Sequence, residues 1–170
     1  IRDDLVTGVQ TCALPILVIL THLETLFRAD QDQTLEGVFS IASGKNIQTV
    51  DRALTIQTKD MEILGQIQLG LGDLTIESTQ FGDIGLGDSS AQLNITGTEL
   101  SRIQARNMSL GGDNSGDIFV SNVQAIQSNN ISSELSLNAT SEGKKVVFET
   151  APSTFNKLSV NANEGIHIQA

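Results

Sequence analysis

No tryptophan or tyrosine occurs in the 170 residues, and six phenylalanines supply all the aromatic content. A globular enzyme of this length usually carries more, because large aromatic side chains fill much of a compact core. Cysteine occurs once, at Cys12, so no internal disulfide can form and a metal site built from cysteines is excluded. Proline occurs only at Pro15 and Pro152. Basic residues are scarce: ten lysines and arginines stand against twenty aspartates and glutamates, a formal net charge of −10. A surface of that sign repels phosphate backbones and argues against a nucleic-acid partner. The apolar run Ala13–Leu20 is far short of the roughly 20 residues that a spanning helix needs, so no membrane span is expected.

What the chain does have is an abundance of Ile, Leu, Ser, Thr, Asn, Gln and Gly, a composition of short strands and many turns. Apolar-polar-apolar triplets recur: Leu54-Thr55-Ile56, Leu74-Thr75-Ile76, Leu93-Asn94-Ile95, Met108-Ser109-Leu110, Leu135-Ser136-Leu137 and Leu158-Ser159-Val160. Ile118-Phe119-Val120 belongs with them, and Met61–Ile63, Ile67–Leu69, Ile84–Leu86 and Ile166–Ile168 fall between. Alternation of period two places the outer residues of each triplet on one face and the middle residue on the other.

The spacing joins these strands into a fold. Ile56 to Ile76 is 20 residues and Ile76 to Ile95 is 19. A repeat of this size fits one rung of an all-β solenoid, with parallel strands stacked rung upon rung. The expected architecture is a single-stranded right-handed parallel β-helix over residues 17–170, with rungs of about 20 residues. Gly70–Asp73, Gly85–Asp88 and Gly111–Asp117 lie between triplets, where the chain must turn. Asn114, Asn122, Asn129 and Asn130 occupy similar places and are expected to stack as hydrogen-bonded ladders. Thr98–Ala105 departs from the pattern: Leu100 and Ile103 are spaced as in a helical turn, which Thr98 could cap, or a bent corner. Leu17–Ala29 reads as a first pair of strands, with a short capping helix as the alternative.

Two resemblances bear on this chain. Val6–Ile16, VTGVQTCALPI, resembles the conceptual translation of a sequencing-library adapter, and Ile1–Leu5 are assigned the same origin. Residues 1–16 are therefore set apart from the fold, Cys12 among them. Ala13–Leu20 imitates the apolar core of a signal peptide, but Arg2 is followed by Asp3 and Asp4 rather than by a basic segment. No initiating methionine is present, and a fragment of a longer protein is expected. The second resemblance rests on Ile84-Gly-Leu-Gly-Asp88, Leu93-Asn-Ile95, Glu99-Leu-Ser-Arg-Ile-Gln-Ala105, Leu110-Gly-Gly112 and Ser115-Gly-Asp-Ile118. These are similar to filamentous-haemagglutinin-type repeats, as are the preceding Ile56–Ile63, Gly65–Ile67 and Leu74–Ile76. The likeness runs from Leu35 to Val123. It implies a right-handed parallel β-helix in a large exoprotein, many of which are adhesins, exported and displayed at a surface.

Candidate sites are few. Asn94, Asn107, Asn130 and Asn138 each begin an Asn-X-Ser/Thr acceptor for N-glycosylation, which matters in a eukaryotic source. Asn94 faces outward if Leu93 and Ile95 face inward. Gly111–Asp117 resembles one copy of a calcium-binding Gly-Asp nonapeptide, but such sites share each ion between tandem copies, so a turn is the plainer reading. Asp83, Asp88, Asp113 and Asp117 are the catalytic carboxylates a polysaccharide-processing β-helix would require. Each sits in or beside a glycine turn, the usual place for aspartate. His22 and His167 lie at opposite ends and share no ligand spacing. No phosphate-binding loop or nucleophile motif occurs.

The sequence thus points to a non-catalytic structural or adhesive segment, extracellular or at the cell surface, without a cofactor. Its partners would be surface glycans or proteins and the neighbouring rungs of a longer chain. The alternatives are a polysaccharide-processing β-helix enzyme and a eukaryotic surface glycoprotein of the same fold.

Overall fold

A computed structural model of the chain describes residues 16–18, 24–30 and 37–169. The adapter-like segment, apart from Ile16, lies outside the described residues, as does His22. The chain begins with β1 (Ile16–Val18), β2 (Thr25–Arg28) and β3 (Val38–Ile41), then β4 (Asn46–Gln48), β5 (Leu54–Thr58) and β6 (Asp60–Ile63). It continues through β7 (Gln66–Gln68), β8 (Leu74–Ser78), β9 (Ile84–Gly87), β10 (Leu93–Ile95), α1 (Gly97–Leu100) and β11 (Ile103–Gly111). β12 (Ile118–Ser121), α2 (Ala125–Ser128), β13 (Ile131–Ala139), β14 (Lys145–Phe148), β15 (Leu158–Ala162) and β16 (Gly165–Ile168) complete it.

The fold is β-rich, and all the pairings among the described residues are parallel. One ladder runs β1-β4-β7 and ends on Ile103–Gln104 of β11. A second runs β2-β5-β8-β11-β13-β15, so the nine residues of β11 join two ladders. The third runs β10-β9-β12-β14-β16, and β3 pairs β6. Two strands, β1 and β2, fall in the stretch near the N-terminus read as a strand pair, but they enter different ladders, on β4 and β5.

The second ladder shows why these residues fold together. Phe27, Ile56, Ile76, Leu110, Leu137 and Val160 stand in one register column. Leu54, Leu74, Met108, Leu135 and Leu158 form the next. Ile56, Ile76, Leu110 and Leu137 are fully buried. On the opposite face, Thr55, Thr75, Ser109, Ser136 and Ser159 make a matching polar column. Branched aliphatic columns bury apolar area without the rotamer freedom that longer side chains would lose.

The uniform rung of about 20 residues needs correction. Leu54 to Leu74 is 20 residues, but the next partner of Leu74 is Met108, which is 34 further on. Met108 to Leu135 takes 27 and Leu135 to Leu158 takes 23. Ile95 does not follow Ile76: Leu93–Ile95 pairs with Ile84–Leu86 in the third ladder, nine residues on from its partner. Ile118–Val120 also belongs to the third ladder. The helical turn is displaced too. α1 starts at Gly97 with Thr96 as its cap, and Ile103–Ala105 are already strand.

Gly70 and Gly111 mark expected turns, at φ +61° and +85°, whereas Gly85–Gly87, read as part of a turn, lie within β9 and the chain turns at Asp88. The predicted asparagine ladders do not form from the residues named: Asn122 donates to Asp88 Oδ2 at 2.7 Å and Asn130 to the Ser101 carbonyl at 2.8 Å. Asparagines stack instead at Asn161, which donates to Asn138 Oδ1 at 2.9 Å, while Asn138 donates to Ser109 Oγ at 2.8 Å. No helix among the described residues is long and apolar enough to cross a membrane.

Candidate binding groove

The aspartates before the strands share one task. Asp51 Oδ1 accepts the Leu71 N–H at 2.7 Å, and Asp73 Oδ1 accepts that of Asn107 at 3.3 Å. Asp83 Oδ1 accepts the Asp117 N–H at 2.8 Å, and Asp117 Oδ1 accepts that of Lys145 at 3.0 Å. In each case the donor is the register equivalent of the aspartate in the next strand. The carboxylates thus satisfy backbone donors at strand entrances, where the ladder bonds have not yet begun. Asp88 accepts from Asn122, and Asp113 accepts the Thr140 hydroxyl at 2.7 Å. The sequence-predicted carboxylates are therefore engaged individually. Asp83 also lies 3.9 Å from Lys144 Nζ. No group of three or more His, Cys, Asp or Glu able to hold a metal ion occurs among the described residues. His167 is an exposed β16 residue opposite Val147.

Asp73 carries the most developed of these contacts. Arg106 donates to both its oxygens, Nε to Oδ1 at 3.0 Å and Nη2 to Oδ2 at 2.7 Å, and Asn107 Nδ2 adds a bond at 2.9 Å. The Arg106 hydrogen bond is the main reason the Asp73 carboxyl titrates below its ordinary value, and it raises Arg106 in turn. A lowered folded pKa means that the native state binds fewer protons than the unfolded chain. The pair's stabilisation is complete above about pH 4 and is lost as pH falls through the folded pKa. Both side chains are largely exposed, at 39% and 52%, so solvent screens the pair and keeps the effect small. Asp73→Asn is expected to melt below the native chain at neutral pH and level with it in strong acid. A constant gap across an acid titration of the melting temperature would contradict this assignment.

The four glycan acceptors sit in different settings. Leu93 and Ile95 are buried and Asn94 faces away from them, but the preceding loop covers it: Asn94 Nδ2 donates to the Ala91 carbonyl and Oδ1 accepts the Ala91 N–H, both at 2.7 Å. Asn107 is bound to Asp73, Asn130 to Ser101, and Asn138 bridges Ser109 and Asn161.

One hollow was not foreseen. It is a groove of about 760 Å³ over the outward face of the second ladder. Its floor is the row Arg28, Gln57 and Glu77, one residue from each of β2, β5 and β8. Arg28 Nε donates to Gln57 Oε1 at 2.8 Å, and Gln57 Nε2 donates to Glu77 Oε2 at 2.7 Å. Asp30 stands at the side, only 4% exposed. Its Oδ2 accepts the Thr79 hydroxyl at 2.9 Å, whereas its buried Oδ1 has no hydrogen-bond partner among the described residues.

The rim is the turn Thr79–Gly82, closed by the Gly82 N–H to the Thr79 carbonyl at 3.0 Å. Gln80 and Phe81 have φ of +53° and +58°, so both central residues lie in the left-handed region, a type I′ arrangement that favours Asn-Gly. Neighbouring backbone holds it there: Phe81 N–H donates to Asn114 O and Gly116 N–H to Gly82 O, each at 2.8 Å. A β-carbon on Gly82 would lie 2.4 Å from Ser78 Oγ and from Gln92 Oε1, so the turn packs tightly against the strand that feeds it. Phe81 is 57% exposed at the groove. The sequence offered one signal, a Gln-Phe pair where a turn residue belongs.

The chain matches no family model, no curated protein and no solved structure.

Proposed function

We propose that this chain is a segment of a right-handed parallel β-helix that acts as a structural and adhesive spacer, without catalysis, in a secreted or surface-displayed exoprotein. The observation that carries the reading is the second ladder: six parallel strands in register, apolar columns on one face and a Ser/Thr column on the other. Such a stack is extended by adding strands at its edges, and its stability is a sum of neighbour terms rather than the property of one centre. Two further features agree. The turn aspartates that an enzyme of this fold would employ are bound to neighbouring backbone or side chains. The outward columns present repeated hydroxyls and amides suited to surface glycans or proteins.

The parent reading frame provides the test. It is expected to encode further repeats and an export signal, and antibodies against this segment should label intact cells. A parent confined to the interior of the cell would overturn the reading.

A further inference from the structure

The geometry points to the groove beside Phe81 as a binding site for a neutral glycan, seated along the Arg28-Gln57-Glu77 row with one sugar ring against Phe81. This rests on the reading of the chain as an adhesive surface segment and names the ligand class it would hold. Three independent features of the groove call for a ligand. Phe81 occupies a backbone conformation that bulky residues avoid, yet it remains exposed, so core burial does not account for it. Buried Asp30 Oδ1 lacks a donor among the described residues. Among the described residues, the Arg28 Nη groups make no hydrogen bond, and the Arg28 side chain lines the same hollow.

The chemistry of these groups selects the ligand. Sugar hydroxyls donate and accept, matching carboxylate acceptors at Asp30 and Glu77, the Gln57 amide and the Arg28 donors. The C–H face of a pyranose is apolar and packs on an aromatic ring. Adjacent strands lie about 4.8 Å apart, close to the rise per sugar of an extended glycan, so the row can meet successive sugars. A volume of about 760 Å³ falls within the range of small-molecule sites. Anionic glycans are disfavoured, because two carboxylates face one guanidinium in a chain of net charge −10. An extended peptide would require a free strand edge, whereas the floor is a sheet face and β5 is paired on both sides.

The test is binding of the full chain to a panel of neutral tetrasaccharides (cello-, malto- and manno-series), sialylated and sulfated glycans and random peptides, followed by calorimetric titration. At least one neutral tetrasaccharide is expected to bind and the anionic glycans and peptides to be weaker. Phe81→Gly should weaken that binding about tenfold, as expected for loss of one stacking contact. Because glycine accepts positive φ, the same variant should melt no lower than the native chain, which separates lost binding from lost folding. Phe81→Trp should retain binding. The inference is overturned if no neutral glycan binds, if anionic glycans or peptides bind better, or if Phe81→Gly binds as well as the native chain. Surface display of the parent is read separately, so an unoccupied groove on a displayed protein removes this inference alone.

Discussion

Ile76→Asp is expected to abolish cooperative folding, while Thr75→Asp, one residue away, leaves the chain folded. Ile76 is fully buried in β8, with Ile56 beside it in β5 and Leu110 in β11. Removing a buried isoleucine side chain costs about 2–5 kcal/mol through lost transfer energy and the cavity left behind. The introduced carboxylate has no donor in a column of aliphatic carbons, so it must either lose its charge or draw in water, adding several kcal/mol. The sum rivals the total stability of an ordinary domain, about 5–15 kcal/mol. The damage spreads to the two flanking strands, because each side chain of the column is packed by its neighbours above and below.

Thr75 belongs to the opposite face, between Thr55 and Ser109. Its replacement by aspartate sets a third carboxylate between Asp73 and Glu77, which share that face of the strand by alternation. Like charges at this spacing are destabilising by about 0.2–1 kcal/mol, less in salt. Thermal melts of the two variants check the assignment of faces. Equal losses would sink it.

These two residues also mark how much of the fold the sequence disclosed. Inward and outward faces were legible in the triplets of the central strands, since alternation is a local property: Leu54, Ile56, Leu74, Ile76, Met108, Leu110, Leu135 and Leu137 are all buried. Which ladder a triplet joins was not legible. Leu93-Asn94-Ile95 looks the same as Leu74-Thr75-Ile76, yet the first pairs with Ile84–Leu86 and the second with Leu54–Ile56. The difference lies in the number of corners between them, and corners here vary from short turns to an excursion containing α1. Ile166 and Ile168 show another limit of periodicity. Both read as inward residues, but β16 closes the third ladder among the described residues, and Ile168 is 80% exposed.

The groove was illegible for a related reason. Arg28, Gln57 and Glu77 are 29 and 20 residues apart and become a row only once register is set. Asp30 and Thr79 are 49 residues apart. The turn aspartates were read correctly as turn residues, but their service to the next strand depends on the same unseen register. One signal was present and misplaced by two residues: Thr96-Gly-Thr-Glu99 has the form of a capping box, whereas Thr98 was expected to cap.

That box underlies the second large effect. Glu99→Ala is expected to cost about 2–4 kcal/mol, although the residue is not part of an apolar column. Glu99 Oε2 accepts the Thr96 N–H at 2.9 Å and its hydroxyl at 2.8 Å, while Thr96 Oγ1 accepts the Glu99 N–H at 3.2 Å. The other oxygen, Oε1, accepts the N–H of Ile63 at 2.9 Å, and the Arg102 guanidinium donates to the Ile63 carbonyl. Ile63 ends β6 and is fully buried, so the α1 segment supplies by side chain the bonds that an adjoining strand would otherwise give. Alanine removes the cap, worth about 1 kcal/mol, and leaves the buried Ile63 N–H unsatisfied, worth about 1–3 kcal/mol. Glu99→Gln keeps one acceptor where two are needed and presents an amide donor to a backbone donor, so it recovers only part of the loss. Glu62, exposed on the same strand, is the control: its alanine variant should stay within about 0.5 kcal/mol of the native chain. Urea unfolding of the three variants reads the difference directly. If Glu99→Ala proved no less stable than Glu62→Ala, α1 would be a surface decoration, and the end of β6 would have to be satisfied by other groups.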